Sequence, residues 1–377
     1  MNEKEIAELR RRFRGDKSNI TRVRGCYVNE NREIVSQVDQ SLGLMTQEEG
    51  ERLLAILRRT LSGGLGKNLI DITFSTQQVV EGEEHKLLMA LRGSGLKDEE
   101  AVQAFFRKVI DHLGLEGNYL ILLTHDTYDV PYRSADGEKQ ADASSEAFSY
   151  ILCSICPVKQ TKPALSYYVR ENQFGTLSPD WVVSPPELGF LFPAFDERST
   201  NLYNALYYNR DTQENHREFT DAVFCSEIPM PAAAQKEAFQ SILGDALAEA
   251  CSYEVVQAVH EELCGIIEEH KANKETEPLV VSKRSVKRVL TSCGVEEARL
   301  AAFEEEYDGT FGADAEICPR NLVDVRQMEV RTPDVTIRVN PERSDLIATR
   351  MINGARYILI RAEEGVEVNG VSVHITE

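Results

Sequence analysis

A chain of 377 residues, 42% hydrophobic and 28% charged, has room for a sizeable core and at least two domains, which excludes wholesale disorder and fibrous repeats. Its formal net charge of −20 argues against indiscriminate binding to phosphate backbones, because that needs Lys and Arg to displace counterions, and leaves room only for a local basic patch. No apolar stretch approaches the roughly 20 residues that cross a bilayer, the N-terminus lacks the apolar core of a secretion signal, and eight scattered cysteines form no framework; a cytoplasmic location with free, mostly buried thiols is expected.

Residues 2–14 read as a short amphipathic helix, with Ile6, Leu9 and Phe13 on one side and arginines on the other. Up to Arg24 the chain carries Lys4, Arg10, Arg11, Arg12, Arg14, Lys17, Arg22 and Arg24 against four acidic residues, so the remainder is more acidic than the total implies. Ile20–Tyr27 and Ile34–Leu42 form a hairpin pattern around Asn29, Glu30 and Asn31. Thr46 and Glu49 make a capping box for a helix carrying Leu53, Leu54, Leu57 and Leu61, which glycines at Ser62–Gly66 end. Leu69–Phe74 is a strand pattern, and Asp98 caps a helix with Val102, Phe105, Phe106, Val109 and Ile110 on one face.

Asn118–Arg133, NYLILLTHDTYDVPYR, is an apolar run ending in His125, Asp126, Asp129 and Arg133, the pattern of a buried strand bringing polar groups to a sheet edge. Phe148–Lys159 is a second apolar run suited to pair with it. Prolines interrupt Tyr167–Phe195, where Gly189–Phe195 is a short strand candidate. From about Pro229 the pattern turns helical, with Glu268–Pro278 as a polar linker or exposed turn and then a helix, turn, helix unit over Ser282–Leu290 and Val295–Tyr307. The last fifty or so residues are strands, with Asn-Gly hairpin signals at 353/354 and 369/370. The expected fold class is α/β: an N-terminal domain over residues 1–225 with a mixed sheet containing antiparallel pairs, a helical region over 226–312, and a C-terminal antiparallel hairpin unit over 313–377.

Several patterns bear on chemistry. Ser62–Asn68, SGGLGKN, is reminiscent of a P-loop, yet Leu61 replaces the first glycine, Asn68 replaces the magnesium-binding hydroxyl, and the loop runs from helix to strand; a helix cap and turn is the simpler reading. Cys153 and Cys156 lack a second ligand pair and, on a strand, point to opposite faces, so no metal is expected there. His125, Asp126, Asp129 and Arg133 are the catalytic candidates, since imidazole, carboxylate and guanidinium suit general acid-base work; a solvated strand end is the plain alternative, and no nucleophile motif accompanies them. Nucleic-acid contact has two candidate sets, the N-terminal Arg10, Arg11, Arg12 and Arg14, and Lys283, Arg284, Lys287 and Arg288 in the helix, turn, helix unit. The second of those helices is acidic, which favours charge pairing between the two helices over groove recognition.

The segments GCYVNENREIVSQVDQSLGL, GKNLIDITFSTQQV, THDTYDVPYR and FSYILCSICPVK together resemble a family of uncharacterised proteins of anaerobic Gram-positive bacteria, a domain of unknown function of the DUF-4317 type. That likeness spans the chain and implies no activity. The order of elements is also similar to NdpA-type nucleoid-associated proteins, in the two apolar strands, the helical unit over Val281–Phe311 and a C-terminal β segment, although Tyr167–Asn215 has no counterpart and no DNA-contacting residue carries over. The function expected is therefore binding, in association with the nucleoid and with the basic N-terminal arm as first contact. A hydrolase with its site at the His125/Asp129 strand end, or a protein-protein scaffold, are the alternatives. DNA, a protein partner or a second copy are the partners considered; no cofactor and no membrane are expected.

Overall fold

The computed structural model describes residues 1–133, 139–226, 228–273, 279–362, 365–368 and 371–373, with the backbone alone at 132–133, 139–146 and 177. Two compact units divide the chain, Met1–Pro231 and Ala232–Glu377.

The first unit runs α1 (Glu3–Arg10), β1 (Arg22–Val28), β2 (Ile34–Ser41), α2 (Gln47–Arg59), β3 (Leu69–Thr73), α3 (Thr76–Glu81), α4 (Glu83–Gly93), α5 (Glu99–His112), β4 (Tyr119–Arg133) and β5 (Lys139–Gln160). It continues through β6 (Ala164–Tyr168), β7 (Gln173–Leu177), β8 (Trp181–Val183), β9 (Leu188–Phe192), β10 (Ala194–Asp196), β11 (Ser199–Asn201), β12 (Asn204–Asn209) and α6 (Arg217–Phe224). An eight-stranded sheet has the order β2-β1-β4-β5-β9-β12-β3, with β8 joined to β5. Every ladder in it is antiparallel, so the mixed α/β class holds and its strand pairing is antiparallel throughout.

Helices cover both faces of this sheet. Ile121, Leu123, Ile151, Cys153, Phe190 and Tyr207 face one layer, where α4, α5 and α6 contribute Leu88, Phe105 and Phe219. Leu122, Tyr150, Leu152, Cys156, Leu191 and Leu206 face the other, where α1 and α2 contribute Ile6, Leu9, Leu54 and Leu57. Burial on both faces explains why the central strands read as continuous apolar runs. It also separates Cys153 from Cys156, one in each layer.

Asn118–Arg133 and Phe148–Lys159 pair as expected, with Leu123 opposite Cys153 and Asp126 opposite Tyr150. The polar half of the first run stays in the strand. However, β1 follows β4 only as far as Val23 opposite Thr124, so beyond that residue β4 has β5 as its one neighbour in the sheet. The run therefore turns polar where its second neighbour ends.

Local signals hold at several points. Thr46 and Glu49 cap α2 reciprocally, and Asp98 caps α5. Ser62–Asn68 is a turn closed by Leu69 N–H donating to Gly64 O, with Gly63 and Gly66 at positive φ. The first helix is shorter than its pattern, ending at Arg10, while Phe13 is still buried with Ile6 and Leu9. The proline-rich stretch yields β9, a fully buried strand between β5 and β12. All eight cysteines are free, but only Cys26, Cys153 and Cys156 are buried, while Cys225 and Cys293 are exposed.

The second unit runs α7 (Ala232–Leu247), α8 (Tyr253–Asn273), β13 (Val281–Ser282), α9 (Lys283–Ser292), α10 (Glu297–Phe311) and β14 (Glu316–Ile317). It ends in hairpins β15 (Met328–Arg331) with β16 (Thr336–Val339), β17 (Ile347–Ile352) with β18 (Ala355–Ile360), and β19 (Val366–Val368) with β20 (Val371–Val373). Its core joins Phe239, Val259, Leu290, Phe303, Ile317 and Leu322. The expected linker from Glu268 is corrected in its first half: α8 continues to Asn273, because a solvated helix end tolerates polar residues on every side. Asn353 and Gly354 both take positive φ, as a two-residue turn of type I′ requires; Asn369 and Gly370 lie outside the described residues. No helix among the described residues is long and apolar enough to cross a membrane.

Candidate functional site

The polar end of β4 is the first place where side chains meet. Its two-residue period sets His125 and Asp126 on opposite faces of the sheet, so these two do not converge. His125 lies on the α4–α5 side and Asp126 on the α1 side, where it is 1% exposed. Asp129 is exposed, and the Arg133 side chain lies outside the described residues.

On the α4–α5 side, one ring nitrogen of His125, Nε2, is 2.8 Å from Ser149 Oγ. Ser149 sits opposite Thr127, one diagonal step from His125, and Arg92 Nε donates to its backbone oxygen at 2.7 Å. Burial lowers the His125 pKa, and the positive charges of Arg92 and Lys97 lower it further, so the imidazole is neutral at neutral pH. A serine hydroxyl on a neutral imidazole is the pairing of a nucleophile with its base.

On the opposite face a charged network ties α1 to the sheet. The Tyr150 hydroxyl donates to Asp126 Oδ2 at 3.0 Å, while Asp126 Oδ1 is buried without a hydrogen bond among the described residues. The Arg12 guanidinium lies 4.8 Å from the centroid of the Tyr128 ring, with Nε and Nη2 buried and without a hydrogen bond among the described residues. The Tyr128 hydroxyl donates to Glu8 at 2.6 Å, and Arg198 donates to both oxygens of the same carboxylate and to Pro131 O. Burial raises the Asp126 pKa, with Tyr150 and Arg12 pulling it back; burial and Glu8 push Tyr128 to about 12.

This network sorts the N-terminal arginines by role. Arg12 is committed to Tyr128, and Arg10 donates to Leu61 O and Gly63 O at the end of α2. Arg11 and Arg14 point to solvent, Arg14 pairing with Asp16 at 3.2 Å. The basic N-terminal arm is thus a packed helix and turn, anchored by Ile6, Leu9 and Phe13.

Beside it, a groove of about 800 Å³ runs between residues 13–20, the turn after β2, and α2. Its apolar walls come from Phe13, Ile20, Leu42, Met45 and Leu54, and Arg14 and Arg58 stand on its rim with Asp16 and Glu51. Arg58 is exposed and has no ion pair among the described residues.

In the second unit, three of the four basic candidates are neutralised. Lys283 pairs with Asp308, Lys287 with Glu304 at 2.9 Å, and Arg288 with Glu262 at 2.6 Å. Arg284 alone stays exposed with no ion pair among the described residues. The acidic α10 and Glu262 of α8 absorb the charge of α9, which is the helix-to-helix complementarity that the sequence favoured.

A family model described as a domain of unknown function, DUF4317, matches residues 1–371. The chain belongs to that family. No curated protein matches it.

Two members of the candidate sites in this DUF4317 chain escape sequence reasoning. Ser149 lies in a run that reads as pure core, and only the β4–β5 register brings its hydroxyl to His125. Arg58 belongs to an ordinary amphipathic helix; nothing in its spacing marks it as facing the N-terminal segment across a groove. Both depend on packing between segments distant in sequence.

Proposed function

We propose that this DUF4317 protein acts by binding, with DNA as its first partner and the groove beside α1 as the contact surface. The supporting observation is the combination of guanidinium groups, Arg14 and Arg58, with an apolar wall in one groove, with Arg11 and Lys17 exposed nearby in the sequence. Guanidinium suits phosphate oxygens, and the partly exposed Leu42 and Met45, backed by the buried Phe13, Ile20 and Leu54, give an apolar surface for the faces of unstacked bases. A duplex hides those faces, so single-stranded DNA is the better fit. With a net charge of −20 the contact must be local, and Asp16 and Glu51 at the rim weaken it.

Fluorescence anisotropy with labelled single-stranded and duplex oligonucleotides tests this reading. Binding should be strongest for the single strand and fall steeply with salt, and Arg14→Ala with Arg58→Ala should flatten the salt slope by about 2. Absence of a shift with either oligonucleotide at low salt refutes it.

One observation favours a second reading, a serine hydrolase: the 2.8 Å contact between Ser149 Oγ and a neutral His125. A fluorophosphonate probe should then label Ser149 and fail on Ser149→Ala or His125→Ala. An unlabelled native chain removes this reading.

A further inference from the structure

The second unit holds a cavity of about 330 Å³ between α7, α8 and residues 322–329, within the roughly 300–1,000 Å³ range of small-molecule sites. Phe239, Leu243, Val259, Leu322 and Met328 line it and are buried, and Val256 stands partly exposed in its wall. Such a lining takes an apolar body. The polar lining groups decide what that body carries.

His260 is already committed at both nitrogens. Its Nε2 is 3.1 Å from Asp324 O, where it must donate, which leaves Nδ1 as the acceptor facing Cys264 Sγ at 3.6 Å. Burial keeps this imidazole neutral. The two lining carboxylates also have partners: Asp324 accepts from Arg326 N–H at 2.9 Å and Glu329 from Arg338 Nε at 3.1 Å. Lys236, half-buried on α7 and near enough to His260 to lower its pKa, has neither an ion pair nor a hydrogen bond among the described residues. Among the described residues it is the lining cation without a partner.

We propose that this cavity binds a small carboxylate with an apolar body, its chain against Phe239, Val259 and Met328 and its carboxylate on Lys236. Charge complementarity selects the anion: a cationic head group would meet Lys236, and a neutral one would leave it unpaired. Asp324 also lines the cavity with its carboxylate held by the backbone N–H of Arg326 and by no ion pair among the described residues, so it lowers the affinity for an anion and Lys236 must outweigh it.

Calorimetric titration of the full chain with octanoate, octan-1-ol and octylamine tests this. Octanoate should bind at least about tenfold more tightly than octanol, the scale of a charge-assisted hydrogen bond, and octylamine should be weakest. Lys236→Met should bring octanoate down to the level of octanol, Lys236→Arg should retain the preference, and Val256→Trp, which fills the wall, should abolish binding of both. Equal affinities for the three ligands, no octanoate binding up to its solubility, or an unchanged preference in Lys236→Met would overturn the assignment. Lys236 is half-buried, and an unchanged urea midpoint of the variant separates lost binding from lost folding.

Discussion

Replacing Arg12 by Ala should destabilise the first unit, while the same change at Arg11 or Arg14 should not. The Arg12 guanidinium sits 4.8 Å from the Tyr128 ring centroid with two of its nitrogens out of contact with solvent. A desolvated cation–π contact is worth about 2 kcal/mol, and the packed stem brings the expected loss to about 2–3 kcal/mol. Substitutions at the exposed Arg11 and Arg14 should stay within about 0.5 kcal/mol. The loss at Arg12 should also depend on pH. Asp126 is buried and its pKa lies above its unfolded value, so the stabilisation from its protonated form is full below the unfolded value and is lost as pH rises through the folded one. Arg12 limits that loss by pulling the pKa down. Without Arg12 the deficit should therefore be larger at neutral pH than in acid, and Asp126→Asn in the same background should recover part of it. Urea denaturation followed by circular dichroism at the two pH values measures all of this. An Arg12→Ala protein as stable as Arg14→Ala, or a deficit independent of pH, would refute the reasoning.

Gly189→Ala should lower the thermal midpoint sharply, because its Cβ would lie 2.4 Å from Cys153 O and 2.5 Å from Thr60 Cγ2; overpacking of this kind costs roughly 1–3 kcal/mol, and an unchanged midpoint would show that β9 can shift away from β5. A thiol reagent should modify Cys225 and Cys293 first, whereas Cys26, pushed up to about 11 by burial, and Cys156, pushed up to about 12, should react only on unfolding; fast loss of all thiols in the native protein would contradict the packing. Lys287→Glu should weaken the α9–α10 pairing by setting like charges together, and Glu304→Lys in the same chain should restore it, with hydrogen exchange on α9 as the measure.

Much of the fold was legible because its signals are local. Thr46 with Glu49, Asp98, and Asn353 with Gly354 each depend on a few neighbouring residues whose side chains satisfy backbone groups or permit positive φ. The buried runs around Leu122 and Leu152 were legible for another reason: strands covered on both faces admit little but apolar side chains. Phe190 and its neighbours were harder to place, since prolines break the pattern around a strand that lies in the middle of the sheet. The candidate sites were legible in part. His125 was found by its type and position, but its partner Ser149 was not, because register across β4 and β5 is a non-local property.

The sequence by itself determined several of the elements and their caps, the buried runs of β4 and β5, and the separation of Cys153 from Cys156, all of which follow from local signals and periodicity. Only the tertiary structure decided what the arginines do. Residues of one type within five positions divide between a buried cation over Tyr128, a cap on α2 and solvent, because each role depends on a surface that another part of the chain supplies. The same holds for Lys236 beside its cavity, which has no ion pair among the described residues: charge is written in the sequence, but whether it is paired depends on which neighbours folding brings within reach.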